Sequence, residues 1–208
     1  MFGGTFNPVH HGHLILAREA RERLGLDRVV LVPNFCSPLR EEESLAPAED
    51  RLAMLRLAVG DEPDLCVSDV EVVRGGPSFT VETLETFKQI HPGAELTFLC
   101  GADSLTTLDR WVRIERILEL ARVCVLARPG TEAEAAHADL IRRAPGVGTQ
   151  VERLAMTRMI DLSATEIRER VVTDRSIRWM VPEAVAAYLQ HRGLYRGGNT
   201  RTDGPADL

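Results

Sequence analysis

The chain has 208 residues, of which 44% are hydrophobic and 27% charged, and this composition is typical of a soluble globular protein. Its apolar runs are shorter than the roughly 20 residues of a membrane-spanning helix, and its first residues lack a signal-peptide pattern, so we expect a cytoplasmic protein that does not bind membranes. The net charge of −6 argues against nucleic-acid binding, and four cysteines without a C-x-x-C pair argue against a zinc site or disulfide framework.

Short apolar strands alternate with longer helical segments along the first two thirds of the chain. The strands contain little polar alternation, which is typical of strands covered on both faces of a parallel sheet. The pattern predicts a doubly wound, Rossmann-like α/β fold with right-handed crossovers. Strands are predicted at 28–32, 65–73, 96–100 and 123–127, and helices at 13–24, 49–59, 79–90, 114–120 and 132–143.

The last third of the chain is more helical. Ser163 and Glu166 have the spacing of a capping box, which predicts a helix from Ser163 to about Val171. Pro182 suits the first turn of a final helix over 183–190. The polar residues 196–208 have little to bury, and we predict that they are disordered. The sequence therefore predicts one domain over 1–195, in which 160–195 form a small helical C-terminal part.

A block rich in glycine and histidine, residues 3–13, surrounds the end of the first strand. Gly3 and Gly4 allow a ligand to approach the backbone closely, and the free N–H groups of the next helix point to the same place. His10 and His13 can both donate hydrogen bonds to phosphate oxygens, although a tight turn followed by surface histidines is the alternative. The block fits neither G-x-G-x-x-G nor a P-loop, which argues against a dehydrogenase or P-loop kinase.

The block resembles the signature of the H-x-G-H nucleotidyltransferases, Gly-Gly-Thr-Phe-x-Pro-x-His-x-Gly-His. Residues 162–168 are similar to that family's Ile-Ser-x-Thr-x-x-Arg segment, which holds the ATP phosphates through hydroxyls, an arginine and a helix N-terminus. Taken alone, Ser163 would be only a helix cap. The resemblance implies that His10, His13 and Arg168 are catalytic. The implied ATP-binding residues are Gly3, Gly4, Thr5, Phe6, His10, His13, Gly101, Asp103, Ser163, Thr165 and Arg168.

Three further stretches resemble bacterial nicotinate mononucleotide adenylyltransferases. Residues 75–80 are similar to the stretch that contacts the pyridine ring, 101–111 have the Gly-x-Asp and Trp pattern, and 181–195 have the typical ending. The resemblance implies that Trp111 stacks on the nicotinate and that Asp103 holds a ribose hydroxyl. A core tryptophan and a helix cap are the alternatives. The implied contacts of nicotinate mononucleotide are Asn34, Arg40, Thr80 and Trp111.

The resemblance also implies the reaction. The 5′-phosphate of nicotinate mononucleotide attacks the α-phosphorus of ATP in line, and pyrophosphate leaves without a covalent enzyme intermediate. The two histidines would contact the α- and β-phosphates, and Arg168 the pyrophosphate side. The implied partners are thus ATP and nicotinate mononucleotide. Mg²⁺ would be bound mainly through the ATP phosphates, without a cage of protein carboxylates.

The chain departs from the family pattern at three places. Asn7 stands where Asp is more common, and Leu39 stands where a histidine is common, although Arg40 keeps a positive charge. Only two residues precede Gly3, whereas a strand has about five, so we expect either a start a few codons upstream or a Met1 that replaces another residue. A nucleotide-binding regulator and a transferase acting on nicotinamide mononucleotide remain alternatives. The sequence leaves the oligomeric state open, with a homo-oligomer as one alternative.

Overall fold

The computed structural model describes residues 1–38, 45–127, 132–158 and 160–196. Within these ranges, six strands form one sheet in the order β3-β2-β1-β4-β5-β6, and every neighbouring pair is parallel. The order reverses between β1 and β4, which lie side by side at the centre of the sheet. The strands are β1 (Phe2–Gly4), β2 (Val29–Pro33), β3 (Leu65–Val67), β4 (Thr97–Gly101), β5 (Arg122–Ala127) and β6 (Val151–Ala155).

Helices connect the strands and cover both faces of the sheet. Two short 3₁₀ helices, Ala102–Thr106 and Leu108–Arg110, follow β4. Within the described ranges, no helix combines the length and the apolar character that crossing a bilayer requires. The α-helices are α1 (His11–Leu24), α2 (Ala48–Val59), α3 (Val70–Arg74), α4 (Thr80–Ile90), α5 (Ile114–Leu120), α6 (Glu132–Arg143), α7 (Pro145–Gly148), α8 (Ala164–Val172) and α9 (Glu183–Arg192).

The apolar strand residues are divided between two hydrophobic clusters, one on each face of the sheet. Successive residues of a strand point to opposite faces, and in β4 Leu99 packs with α1, α2, α8 and α9, whereas Phe98 and Cys100 pack with α4, α5 and α6. Both faces are therefore buried, which explains why the central strands lack polar alternation. The predicted doubly wound α/β fold is confirmed.

Two strand predictions differ from the structure. The strand predicted over 65–73 ends at Val67. Ser68 N donates the last bond to β2, at Leu31 O (3.0 Å), and Ser68 Oγ then accepts from Val70 N (3.4 Å), where the chain leaves the sheet. Residues 70–74 then form α3. Strand β6 was not predicted, because it lies at the edge of the sheet and carries exposed side chains such as Glu152.

The predicted helical C-terminal part is present as α8 and α9, which pack on the same face as α1 and α2. Asp50 of α2 is buried and accepts hydrogen bonds from Tyr188 Oη (2.7 Å) and Arg192 Nε (3.1 Å) of α9. The N–H of His11, at the start of α1, donates to Met180 O (3.0 Å). The predicted tail, apart from residue 196, lies outside the described residues, and the single-domain organisation stays a prediction.

The contact between α6 and α7 generates a stability prediction. A Cβ on Gly148 would lie 2.6 Å from the Cα of Ile141, whereas a Cβ on Gly146 would meet no atom within 4 Å. We expect Gly148→Ala to lower the free energy of unfolding by about 1–3 kcal/mol, because a backbone atom cannot yield as a side chain can. Gly146→Ala, in the same helix, should change it by less than about 0.5 kcal/mol. Urea unfolding measures both, and equal stabilities of the two variants would contradict the prediction.

Candidate active site

Most of the predicted site residues that the structure describes lie near the carboxyl edge of the sheet, where the strand order reverses. The loop after β1, Asn34 after β2 and Gly101 at the end of β4 follow three adjacent parallel strands, which all end at this edge. Asn34 N donates to Gly4 O (3.0 Å), so the end of β1 and the segment after β2 are in direct contact. Open parallel sheets bind ligands at such a reversal. This edge is therefore the candidate active site.

The two glycines of β1 make room for aromatic rings of the protein itself. A Cβ on Gly3 would lie 3.3 Å from the Phe98 ring, and one on Gly4 would lie 3.1 Å from the Phe6 ring. Phe6 is 2% exposed and has a positive φ of 50°, and its ring packs edge-to-face on His13 at 5.0 Å. This internal packing is a reason for the glycines that the sequence analysis did not give. Contact of Gly3, Gly4, Thr5 and Phe6 with ATP stays a prediction.

His10 and His13 form a stacked pair at the start of α1. Their ring centroids are 3.6 Å apart with planes inclined by 25°, and His10, the N-cap residue, is buried. His10 N donates to Nδ1 of His13 (3.2 Å). Because Nδ1 accepts this bond, a neutral His13 carries its proton on Nε2 and offers that N–H as a donor. Gly12 makes the stack possible, since a Cβ there would lie 2.9 Å from Nδ1 of His10.

The second predicted block lies against the first, although 161 positions separate Arg168 from Asn7. Arg168 Nη1 donates to the Asn7 carbonyl (2.9 Å), and Nη2 donates to Thr165 Oγ1 (3.3 Å). Ser163 caps α8 by accepting from Glu166 N (3.1 Å), as predicted. The Glu166 carboxylate accepts from Arg170 Nε (3.0 Å). The structure thus brings both blocks together.

The residues after β4 also lie at this edge. Asp103 is the second residue of a 3₁₀ helix whose N-cap is Gly101, so the helix-cap alternative for Asp103 is wrong. A Cβ on Gly101 would lie 2.6 Å from Oδ1 of Asp103, so the glycine leaves room for this carboxylate. The roles of both residues toward ATP stay predictions.

The residues predicted to contact nicotinate mononucleotide are only partly described. Trp111 is half-buried and packs edge-to-face on Phe98 (5.7 Å), the residue whose ring covers Gly3, and its Nε1 donates to Thr107 Oγ1 (3.4 Å). Thr80 is the first residue of α4 and is half-buried. Leu39 and Arg40 lie outside the described residues.

Arg51 of α2 was not among the predicted site residues, yet it is fully buried and hydrogen-bonds the loops after β1 and β2. The position of Arg51 in the sequence could have indicated its burial. It lies three residues after Ala48 and four before Leu55, and this spacing places a charged residue on the buried face of an amphipathic helix. A charge is seldom buried without a specific set of partners.

The departure at Asn7 has a structural explanation. The Asn7 side chain is 2% exposed, and its Oδ1 accepts from Ala46 N (3.0 Å) and from Tyr195 Oη (2.5 Å). An aspartate oxygen would accept the same two bonds. The replacement therefore keeps the contacts that join this loop to residue 46 and to the end of α9.

A buried carboxylate supports the segment over 75–80. Glu71 accepts from Thr83 Oγ1 (2.6 Å) and from the Ser78 hydroxyl, and burial raises the pKa of the Glu71 carboxyl group above its usual range. Ser78 Oγ in turn accepts from Phe35 N (2.9 Å). This chain of bonds ties the predicted pyridine-contacting stretch to the segment that follows β2.

Known proteins resemble the chain along most of its length. The sequence model of the family described as Cytidylyltransferase-like matches residues 1–170. A probable nicotinate-nucleotide adenylyltransferase of Roseiflexus sp. (strain RS-1) is 44% identical over 199 residues, with 94% of this chain and 96% of the relative covered. A protein of the same name from Thermomicrobium roseum is 41% identical, and the match covers 94% of this chain and 90% of that relative.

Solved structures share the fold. Nicotinic acid mononucleotide adenylyltransferase of Plasmodium falciparum, solved with NaAD, has a TM-score of 0.73 at 16% identity and covers 93% of this chain and 95% of its own. A putative nicotinate-nucleotide adenylyltransferase of Vibrio parahaemolyticus has a TM-score of 0.63 at 21% identity, and the match covers 95% of this chain and 94% of that structure's chain. On the strength of the family match and the relatives above 40% identity, the chain belongs to the nicotinate-nucleotide adenylyltransferases within the cytidylyltransferase-like family.

Proposed function

We infer that the protein transfers the AMP part of ATP to nicotinate mononucleotide and releases pyrophosphate. The observation that carries this inference is the hydrogen bond from Arg168 to the Asn7 carbonyl, because it joins the two phosphate-binding blocks into one surface. The relatives of the same name support the reaction. The product is nicotinate adenine dinucleotide, the precursor of NAD.

Catalysis on this surface consists of positioning and charge stabilisation. The acceptor's phosphate oxygen forms a bond to the α-phosphorus as the bond to the leaving pyrophosphate breaks, so the protein needs no nucleophile of its own. His13 donates from Nε2 to a phosphate oxygen. The His10 ring stacks on the His13 ring, and the backbone N–H of His10 donates to Nδ1 of His13. Arg168 and the N-terminus of α8 neutralise charge on the pyrophosphate side.

Mg²⁺ fits this site as a partner of ATP. Across the described ranges, His, Cys, Asp and Glu side chains do not gather in groups of three that could hold a metal ion. The polar groups at this edge are largely N–H and O–H donors, which suit phosphate oxygens better than a cation. The ion would be held mainly by the ATP phosphates and water, and it would neutralise charge on the leaving pyrophosphate.

The acceptor is nicotinate mononucleotide, with Trp111 and Thr80 at the pyridine ring and Asn34 nearby. The half-buried Trp111 has room for a partial stack, since part of its surface is exposed although its ring is in edge-to-face contact with Phe98. The regulator alternative depended on Leu39, which is outside the described residues, and on the short β1. The relatives named as nicotinate-nucleotide adenylyltransferases favour an enzyme over a regulator.

The proposed function is tested by measuring pyrophosphate release from ATP and Mg²⁺ with either acceptor. We expect release with nicotinate mononucleotide and much slower release with nicotinamide mononucleotide. Comparable rates would favour the amide-accepting alternative. Binding of ATP without release from either acceptor would favour the regulator.

Replacing His13 should affect turnover. We expect His13→Ala to lower kcat by about 100- to 1000-fold, because a donor to transition-state charge is lost, while both KM values change little. His191→Ala, an exposed histidine in the last turn of α9, is the control and should behave as the parent protein. A kcat near the parent value in His13→Ala would refute the assignment.

Replacing Gly12 should disturb the histidine pair without weakening the fold. We expect Gly12→Ala to lower kcat by roughly 10- to 100-fold, since a Cβ would push the His10 ring and small misplacements are costly in catalysis. The control is Gly93→Ala, where a Cβ would meet no atom within 4 Å. Steady-state kinetics and thermal melts separate the effects, and equal kcat values in the two variants would contradict the prediction.

Replacing Trp111 should weaken binding of the acceptor. We expect Trp111→Ala to raise KM for nicotinate mononucleotide by about 10-fold or more, because stacking of a base on an aromatic ring contributes about 1–3 kcal/mol. The KM for ATP should stay close to the parent value. Trp179→Ala is the control, since this tryptophan is 79% exposed. An unchanged KM for the acceptor in Trp111→Ala would exclude the stacking role.

A further inference from the structure

Arg51 lies behind the candidate site and bonds to three separate pieces of backbone. Its side chain is fully buried. Nη1 donates to Thr5 O (2.9 Å) and Asn34 O (2.6 Å), Nη2 donates to Phe35 O (2.7 Å), and Nε donates to Ala46 O (3.0 Å). The planar guanidinium therefore connects the loop after β1 with the segment after β2.

Arg51 also binds the side chain of Asn34, at 2.9 Å from Nη1. A guanidinium can donate hydrogen bonds but cannot accept them. The atom of Asn34 that faces Arg51 must therefore be the carbonyl oxygen Oδ1, and this chemistry fixes the orientation of the amide. The NH₂ group of Asn34 is consequently the part of the amide left to donate elsewhere.

The backbone around Asn34 is held from the opposite side as well. Asn34 N donates to Gly4 O (3.0 Å), and Phe35 N donates to Ser78 Oγ (2.9 Å). Ser78 N donates to Cys36 O (2.9 Å). The segment 34–36 is thus bonded both to β1 and to the stretch over 75–80, and Arg51 binds the carbonyls of Asn34 and Phe35.

We propose that Arg51 is a positioning residue, which holds Asn34 with its amide NH₂ group turned toward nicotinate mononucleotide and at a fixed distance from the loop that binds ATP. The proposal rests on the function proposed above. An amide donor suits the acceptor, whose phosphate, ribose and carboxylate oxygens all accept hydrogen bonds. Lysine cannot replace Arg51, because an ammonium has three donors and lacks the planar fork that reaches several carbonyls at once.

Hydrogen exchange tests whether Arg51 holds the segment, whatever the activity of the protein. In Arg51→Lys, we expect the amides of Asn34 and Phe35 to exchange at least 10-fold faster, while those of β4 and β5 keep their parent rates. Gly148→Ala, which weakens a contact between α6 and α7, is the control for lowered stability. Unchanged exchange at Asn34 and Phe35, or the same acceleration in Gly148→Ala, would overturn the proposal.

A second variant tests the orientation of Asn34 and should fold as the parent does. In Asn34→Asp, the carboxylate still accepts from Arg51 but presents an oxygen, not an NH₂ group, to the acceptor. We expect an unchanged or higher melting temperature together with a 10-fold or greater rise in both the KM and the calorimetric Kd for nicotinate mononucleotide. The KM for ATP should stay within twofold. If Asn34 were merely structural, acceptor binding would not weaken while the melting temperature and the KM for ATP stayed unchanged. An unchanged Kd for nicotinate mononucleotide would overturn the proposal.

The two proposals fail in different ways. Parent protein that binds ATP but neither binds nicotinate mononucleotide nor releases pyrophosphate would refute the proposed function and, with it, the donor role of Asn34. Parent protein that is active while Arg51→Lys has normal exchange and normal KM values would refute only the role of Arg51.

Discussion

The candidate site depends on how side chains from distant parts of the chain bind the backbone of the loop after β1. Arg51 binds the carbonyl of Thr5, and Arg168 binds that of Asn7. Tyr195 donates to the Asn7 side chain. The loop begins after Gly4, the last residue of β1, and has a positive φ at Phe6, so it has little regular structure of its own. Its conformation is therefore set by these donors, which come from α2, α8 and the end of α9.

The same contacts explain why the helical C-terminal part belongs to the site. Helix α8 supplies Arg168, which binds the Asn7 carbonyl, and α9 binds α2 through the bonds of Tyr188 and Arg192 to Asp50, the neighbour of Arg51. Two consecutive residues of α2 thus serve different partners. Asp50 binds α9, and Arg51 binds the loops of the sheet. Changes that break the bonds of Tyr188 or Arg192 to Asp50 can therefore reach the site through α2.

Much of this arrangement could be predicted from the sequence, because continuous apolar strands and the spacing of the two blocks are local patterns. Edge strand β6 could not be predicted, because exposed residues such as Glu152 interrupt its apolar pattern. The stacking of His10 on His13 and the donors to Asn7 also escaped prediction. They depend on which groups meet after folding, and the acceptor of Arg168 is a backbone carbonyl, which any residue type could supply. Arg51 had a signal in its helical position, but its acceptors are largely backbone oxygens of this kind.

The hydrogen bond from Tyr195 to Asn7 joins residues that are 188 positions apart. During synthesis, the β1 loop leaves the ribosome long before Arg168 and Tyr195 exist. An incomplete chain can form α1 early, but it lacks the strand β4 that pairs with β1 and the donors that fix the loop between β1 and α1. Competence to bind ATP should therefore arise late, in one step, after almost the whole described chain has emerged, and ribosome-bound intermediates should not compete for the nucleotide.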